Sequence, residues 1–472
     1  MVEPYRVVKS ITCIKGTIVN HDHNVGNSGC HLLPLLSFRP NQLRYEYRSS
    51  IAGYAHNFER DLQMFVLWET SREHWPAILD DIQSRFVVLD VRYIAWPEQE
   101  VDDCFLRLYG MPPEGSSNGA QGFKRRQICG SGPFALVVVE DTAPVYVYAR
   151  TFSKKVELVN RSVVAAKSQY REWTGGGFRI HSSNSLGEFF RDMSLLVGTI
   201  ELERLLDLHE PFSDVPSTVS ASLAGTGGWE SLAVLFRHLL RSVDYAVLRN
   251  FEELPADLPS GDADIDALCR SAHEFSAVAN ANILVDKCGK FSCVTQVGGM
   301  PLQFDLRSVG DNYYDTRWEA DMLARAQVHG DCVMVLALND HFFSLMYHAK
   351  VHKRETKAIY RERLTRIASE LGLSQFEGTD ITADDTAAEL LAGFLVANGY
   401  GYTAPLDIWV QLNADFVRRL RAQGSLWARE LIRDRLTVSA ALARAPLLWR
   451  VHRQLAGPAT QAIRFLRKLA YR

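Results

Sequence analysis

YAVLRNFEELPADLPSGDADIDALC, residues 245–269, is the stretch on which the fold of this chain turns. Its first seven residues have strand composition, a Pro/Gly/Ser turn follows, and DIDALC (264–269) is predicted as a second strand. Side chains alternate across a strand, so Asp264 and Asp266 share one face and Ile265 points to the other. At about 3.3 Å per residue the two carboxylates start about 7 Å apart. Carboxylates this close repel, and one takes up a proton unless a cation lies between them. A divalent ion, Mg2+ (or Mn2+), removes that penalty and also neutralises and orients a polyphosphate. MPLQFDLRSV (300–309) is predicted as a third strand and brings Asp305 between Phe304 and Leu306. A lone pair of aspartates would read as a solvated turn. Here the acids alternate with apolar residues in both strands, which favours a built site.

This pattern resembles the nucleotidyltransferase superfamily, the fold of DNA polymerase β and its relatives, over roughly residues 230–360. Members carry an apolar–Asp–apolar–Asp pair on one strand and a third acid on a later one. The resemblance implies that Asp264, Asp266 and Asp305 are catalytic and hold the metal. The chain departs from the family where a Gly-Ser dipeptide often precedes the acids, for it reads LRNFEELP (248–255) there. Arg249, Asn250, Ser260, Gly261 and Arg307 are candidate phosphate contacts, and Asp262 is an additional acid beside the site. NDHFFSLMYHAKVHKRETKAIYRERL (339–364) is predicted as a helix capped by Asn339 or Asp340. It places His348 and His352 one turn apart, with Lys353 adjacent, as further nucleotide-binding candidates. The H-E-x-x-H pattern of a zinc protease is missing.

By this resemblance the chain is a metal-dependent transferase. It moves a nucleotidyl, phospho-polyol or phospho-alcohol group from an NTP or CDP-activated donor to a hydroxyl acceptor. Fukutin-like transferases and bacterial phosphocholine transferases are relatives of that kind. They point to a glycan, lipid-linked or small-molecule acceptor and to cell-surface polysaccharide synthesis. The alternatives are nucleotidylation of tRNA, protein or a small molecule, and a degenerate scaffold that binds nucleotide without turnover.

The 472 residues divide into an N-terminal segment of unclear structure (1–55), an α/β domain (56–205) and a linker (206–228). A mixed-sheet domain with a helical subdomain (229–405) and a cationic helical tail (406–472) complete an α/β (α+β) chain. In the first domain, MFVLWE (64–69) and VVLDVRYIAW (87–96) are predicted strands flanking a helix over 71–86. PFALVVVED (133–141) and PVYVYAR (144–150) are predicted to form a hairpin, and Ser185 with Glu188 a capping box. A second candidate site lies around the glycine-rich WTGGG (173–177). Lys167, Arg171, Gly175, Gly176, Gly177, His181 and Asn184 are positioned there to wrap an anion.

A net charge of −3 argues against wholesale nucleic-acid wrapping. Eight cysteines without a C-x-x-C pair read as free thiols in a reducing compartment. The N-terminus lacks the apolar core of a secretory signal, and no apolar run reaches membrane-spanning length, so a cytoplasmic location is expected. From Asp415 onward thirteen Lys and Arg face three acids, a composition expected to meet an anionic membrane surface from the inner face.

Overall fold

The computed structural model describes residues 60–423 apart from 114–118, 152–155, 258–263, 288, 354–355, 374–377 and 404. The N-terminal segment and residues 424–472 of the cationic tail therefore lie outside the described residues, as do Ser260, Gly261 and Asp262. The chain is α/β, with helices packed on two mixed sheets and a third, two-stranded sheet.

Strand β1 (Asp61–Leu67), helix α1 (Trp75–Arg85), β2 (Val87–Ala95), α2 (Val101–Leu108), α3 (Gly119–Cys129) and β3 (Phe134–Asp141) open the first half. In α1, Trp75, Ile78 and Ile82 recur at helical spacing and all three are buried. Next come β4 (Tyr146–Arg150), β5 (Val156–Asn160), α4 (Arg161–Trp173), β6 (Ile180–Ser182), α5 (Leu186–Leu206) and β7 (Ser217–Ser220). The first sheet has the order β6-β1-β3-β2-β7. The expected hairpin between 133–141 and 144–150 does not form, because β3 is already bonded on both edges, to β1 and to β2. Strand β4 pairs instead with β5 as a separate ribbon. Within 206–228, β7 runs parallel to β2 and Ala224 N–H donates to Leu195 O, so this stretch lies along the first sheet. Helix α5 breaks at Gly198, whose φ of 78° suits a residue without Cβ.

The second half runs α6 (Leu232–Ser242), β8 (Tyr245–Val247), β9 (Asp264–Cys269), α7 (Ala272–Val278), β10 (Asn282–Lys287), β11 (Lys290–Val297) and β12 (Met300–Ser308). It continues with α8 (Thr316–Arg325), β13 (Gln327–His329), β14 (Val333–Val335), α9 (Leu338–Val351), α10 (Ala358–Glu370), α11 (Asp384–Asn398) and α12 (Ala414–Ala422). The second sheet has the order β10-β11-β12-β9-β8-β14-β13. One face buries Ile265, Phe304 and Leu306 in a core that runs on into Val66, Leu136 and Phe190 of the first half. The other face puts Ala246, Leu248 and Leu268 under Trp318, Phe342, Tyr347 and Leu391 of the helices that follow. Each large apolar side chain so buried contributes about 1.5–3 kcal/mol.

The helix expected over 339–364 is two helices, broken after Val351. Neither Asn339 nor Asp340 caps it, since both lie inside α9, where Ala337 is the N-cap. Asp340 is buried and its carboxylate accepts from Trp318 Nε1 at 2.9 Å and from the Arg325 guanidinium at 2.8 Å. Among the described residues no helix is long and apolar enough to cross a membrane.

The two halves are also locked by charge. Arg107 of α2 is buried, and it donates Nε to Ala277 O at 2.9 Å, Nη1 to Thr226 Oγ1 at 3.0 Å and Nη2 to Ala224 O at 2.5 Å. A guanidinium taken out of water needs such acceptors, and here both halves supply them.

Candidate functional site

Strands β9 and β12 are parallel neighbours, and their register sets Asp305 opposite Asp266 and Gln303 opposite Asp264. Paired residues on adjacent strands share a face, at about 4.8 Å between strands. All four side chains are half-buried, whereas Ile265, Phe304 and Leu306 on the opposite face are buried. The three sequence-predicted acids thus occupy one face near the start of β9. Their oxygens do not all lie within 4.8 Å of one another.

Asp266 is held by Arg249, whose Nη2 lies 2.6 Å from Oδ1. Arg249 lies two residues past the end of β8, and the N–H of the intervening Leu248 donates to Asp266 O and fixes the chain beside the acid. Burial alone would lower the Arg249 guanidinium, but Asp266 and the surrounding tyrosines outweigh it and raise it above its usual range. Asp305 accepts from Gln303 Nε2 at 3.3 Å and faces Lys290 Nζ at 4.0 Å. Lys290 was not foreseen. Ser292 pairs with Asp305 across β11 and β12, so the strand period alone puts Lys290 on the same face.

Arg307, on β12 two residues past Asp305, is pinned from two sides. Its Nη1 donates to Asp407 Oδ2 at 2.9 Å, and its Cζ lies 4.2 Å from the Tyr313 ring centroid. Asp407 stands a hundred residues from Arg307, and nothing in the local pattern announces the pair. Lys353 is half-buried, and burial, then the charges of Arg249 and Lys357, lower its ammonium below the usual lysine range. Asp266 opposes that shift. Arg249, Arg307, Lys353 and Asp266 therefore act on one another across a shared space.

The two histidines lie inside the fold rather than on an open face. His348 and His352 are buried, and His348 Nδ1 meets Tyr313 OH at 2.7 Å while the His352 ring packs on Tyr313 at 4.3 Å. Burial first, then Arg249, hold His348 well below its usual value, hence neutral. His348 orients Tyr313 through its hydrogen bond, and the His352 ring packs on the same tyrosine. Asn250, at φ 58°, accepts from Arg363 Nη1 at 2.6 Å and anchors α10.

The loop between β12 and α8 rests on a buried acid pair. Asp311 accepts from Ser308 N–H and Tyr313 N–H, and Glu319 from Gly310 N–H and Tyr314 N–H. Burial, and then Asp311, push the Glu319 carboxyl up to about 8.

The second candidate site divides. Lys167 Nζ donates to Ser182 O at 3.0 Å and to Asn184 Oδ1 at 2.5 Å, and Arg171 Nε donates to Ile180 O at 2.9 Å. The glycines follow a helix and do not open one. They end α4, with Gly175 N–H bonded to Glu172 O and Gly176 N–H to Arg171 O, and Gly175, Gly176 and Gly177 all have positive φ. Ser185 caps α5 through Glu188 N–H as predicted, and the Glu188 carboxylate accepts from Asn184 N–H.

His181, Glu188 and Asp192 bring ligand atoms within 4.8 Å of one another, a spacing that a metal ion could use. Arg191 already pairs with both acids. Asp192 accepts from Arg191 Nε at 2.8 Å and lies 2.8 Å from His181 Nε2, while Arg191 also reaches Glu188 and, across the halves, Glu274 at 2.9 Å.

No family model, curated protein or solved structure matches the chain.

Proposed function

We propose that the chain is a metal-dependent transferase of the nucleotidyltransferase type. One observation carries this: Asp266 and Asp305 stand opposite each other on parallel strands, with Asp264 on the same face and Arg249, Arg307 and Lys353 around them. An all-carboxylate set on one half-exposed face fits a hard cation such as Mg2+ or Mn2+, which Asp264, Asp266 and Asp305 would hold. When bound, that ion neutralises phosphoryl oxygens and lowers the barrier to their displacement.

The remaining work falls to this chain's side chains. Arg249, Arg307 and Lys353 attract and orient the phosphates of a nucleotide donor. Asp305, whose carboxylate is opposed by Gln303 and Lys290 rather than by a guanidinium, takes the proton of the acceptor hydroxyl. The group moved is nucleotidyl, phospho-polyol or phospho-alcohol, and the acceptor a glycan, lipid-linked or small-molecule hydroxyl at the inner membrane face.

Incubation with labelled NTPs and CDP-alditols, with Mg2+ or Mn2+, tests this against Asp264→Asn and Asp305→Asn. Metal-dependent label transfer that both variants lose is expected. Neither transfer nor metal-dependent nucleotide binding in the wild type would sink the reading. Binding that survives Asp305→Asn, with no turnover in any form, would leave a nucleotide-binding scaffold instead.

A further inference from the structure

The break in α5 at Gly198 opens onto a cavity of about 430 Å³, a size that suits a small organic ligand. Residues 197–201 of α5 form one side, the turn carrying Gly225, Gly228 and Trp229 a second, and Val234 and His238 of α6 a third. Gly198 has open space where a Cβ would stand, and a Cβ on Gly225 would strike the Trp229 indole. Both positions bring bare backbone to the cavity, a surface that suits a planar ring. The indole itself is fixed, for Trp229 Nε1 donates to Ala279 O and Trp229 N–H to Gln296 O, each at 2.8 Å.

The polar groups of the lining divide by depth. His238 is 2% exposed, its ring lies 4.7 Å from that of Trp229, and its Nε2 is buried without a hydrogen-bond partner. Burial first, then the charge of Arg107, push the imidazole down to about 3, hence neutral. A ring nitrogen left unpaired out of water is costly, and a ligand hydroxyl, which both donates and accepts, satisfies it in either tautomer. The charged residues of the lining are two acids, Glu201 and Glu230. Arg92 and Arg204 pair with Glu201, whereas Glu230 is exposed and forms no ion pair among the described residues. Such a lining repels an anion and draws a cation to its mouth.

We propose that this cavity binds a small aromatic amine that carries a hydroxyl group, with the hydroxyl on His238 Nε2, the ring beside Trp229 and the ammonium at Glu230. The lining includes none of the three aspartates, so the site stands whether or not they are catalytic.

Calorimetric titration of the full chain with tyramine, phenethylamine and 4-hydroxyphenylacetate, in EDTA, is the test. The second probe lacks the hydroxyl, and the third replaces the ammonium with a carboxylate. Tyramine is expected to bind saturably and about tenfold tighter than phenethylamine, the difference made by one hydrogen bond. It should also bind tighter than 4-hydroxyphenylacetate. His238→Leu should lose that tenfold and bind the two amines alike. Glu230→Gln should weaken both amines several-fold, and its exposed position keeps the test readable if a substitution in the core fails to fold. Val234→Trp, which fills the cavity, should abolish binding with the far-UV spectrum unchanged. Absence of saturable heat with all three probes overturns the proposal, as does tyramine binding that a folded Val234→Trp leaves intact. Equal affinity for 4-hydroxyphenylacetate and tyramine overturns the assignment to an amine. Equal weakening of both amines in His238→Leu would make His238 a packing residue and overturn the hydroxyl contact.

Discussion

Two ionic clusters in this chain use the same residue types to opposite ends. Around Asp192, His181, Arg191, Glu188 and Glu274 close on one another between the halves, with Asp192 and Arg191 largely out of water. Around the second, Asp266 and Asp305 keep about a quarter of their side-chain surface exposed, and Arg249, Lys290 and Lys353 approach them. The first cluster closes on its own members. The second keeps a solvent-facing side open to a ligand. Pairing and burial, more than composition, separate glue from site.

The contrast breaks most readily at Asp192. Asp192→Asn leaves Arg191 and His181 short of a buried partner and should cost about 3–5 kcal/mol in urea denaturation. If it costs less than 1 kcal/mol by the same measure, the cluster is not glue. Asp305→Asn should do the reverse. Transfer activity should fall about 10²–10³-fold, or about 3–4 kcal/mol in barrier, while the denaturation midpoint hardly moves.

Proton linkage separates the regions next. Burial raises Asp61 to about 6, Asp244 to about 7 and Glu319 to about 8, so each binds a proton more tightly folded than unfolded. Stability from these groups is complete below their unfolded values near 4 and is lost as pH rises through about 8. Asp192 is lowered: burial opposes, but Arg191 and His181 win. Its contribution is present above its unfolded value and is lost as pH falls through the lower folded one. Denaturation midpoints should therefore fall from about pH 6 to about pH 9, and a rise over that range would refute the Glu319–Asp311 pairing. The smallest effect concerns Gly176, at φ 84° with open space around a would-be Cβ. Gly176→Ala should cost about 1 kcal/mol in urea denaturation, from backbone strain alone.

What could be read in advance was whatever depends on local period. The strands carrying Asp264, Asp266 and Asp305 were legible because alternation dictates which residues share a face, and parallel pairing then aligned the acids. The cap at Ser185 was legible for the same reason of short range. The hairpin at 133–150 failed because the sheet had already filled both edges of β3, a fact fixed by β1 some seventy residues earlier. His348 and His352 looked like phosphate ligands by spacing, but spacing does not reveal burial against Tyr313. Arg307 with Asp407 and Arg191 with Glu274 join residues too far apart in sequence for any local rule to connect.

The core shared by the two sheets, bolted by Arg107, bears on how such a chain can be inherited. A gene fragment ending within 206–228 would strip Arg107 of its acceptors on α7 and uncover Leu223 and Trp229, which are buried in the whole. Either piece alone would carry a raw apolar face and a stranded cation, both prone to aggregate. Recombination at that point would leave neither piece with a closed core. The two sheets would pass from ancestor to descendant as one heritable block, and shuffling is left to the ends beyond them.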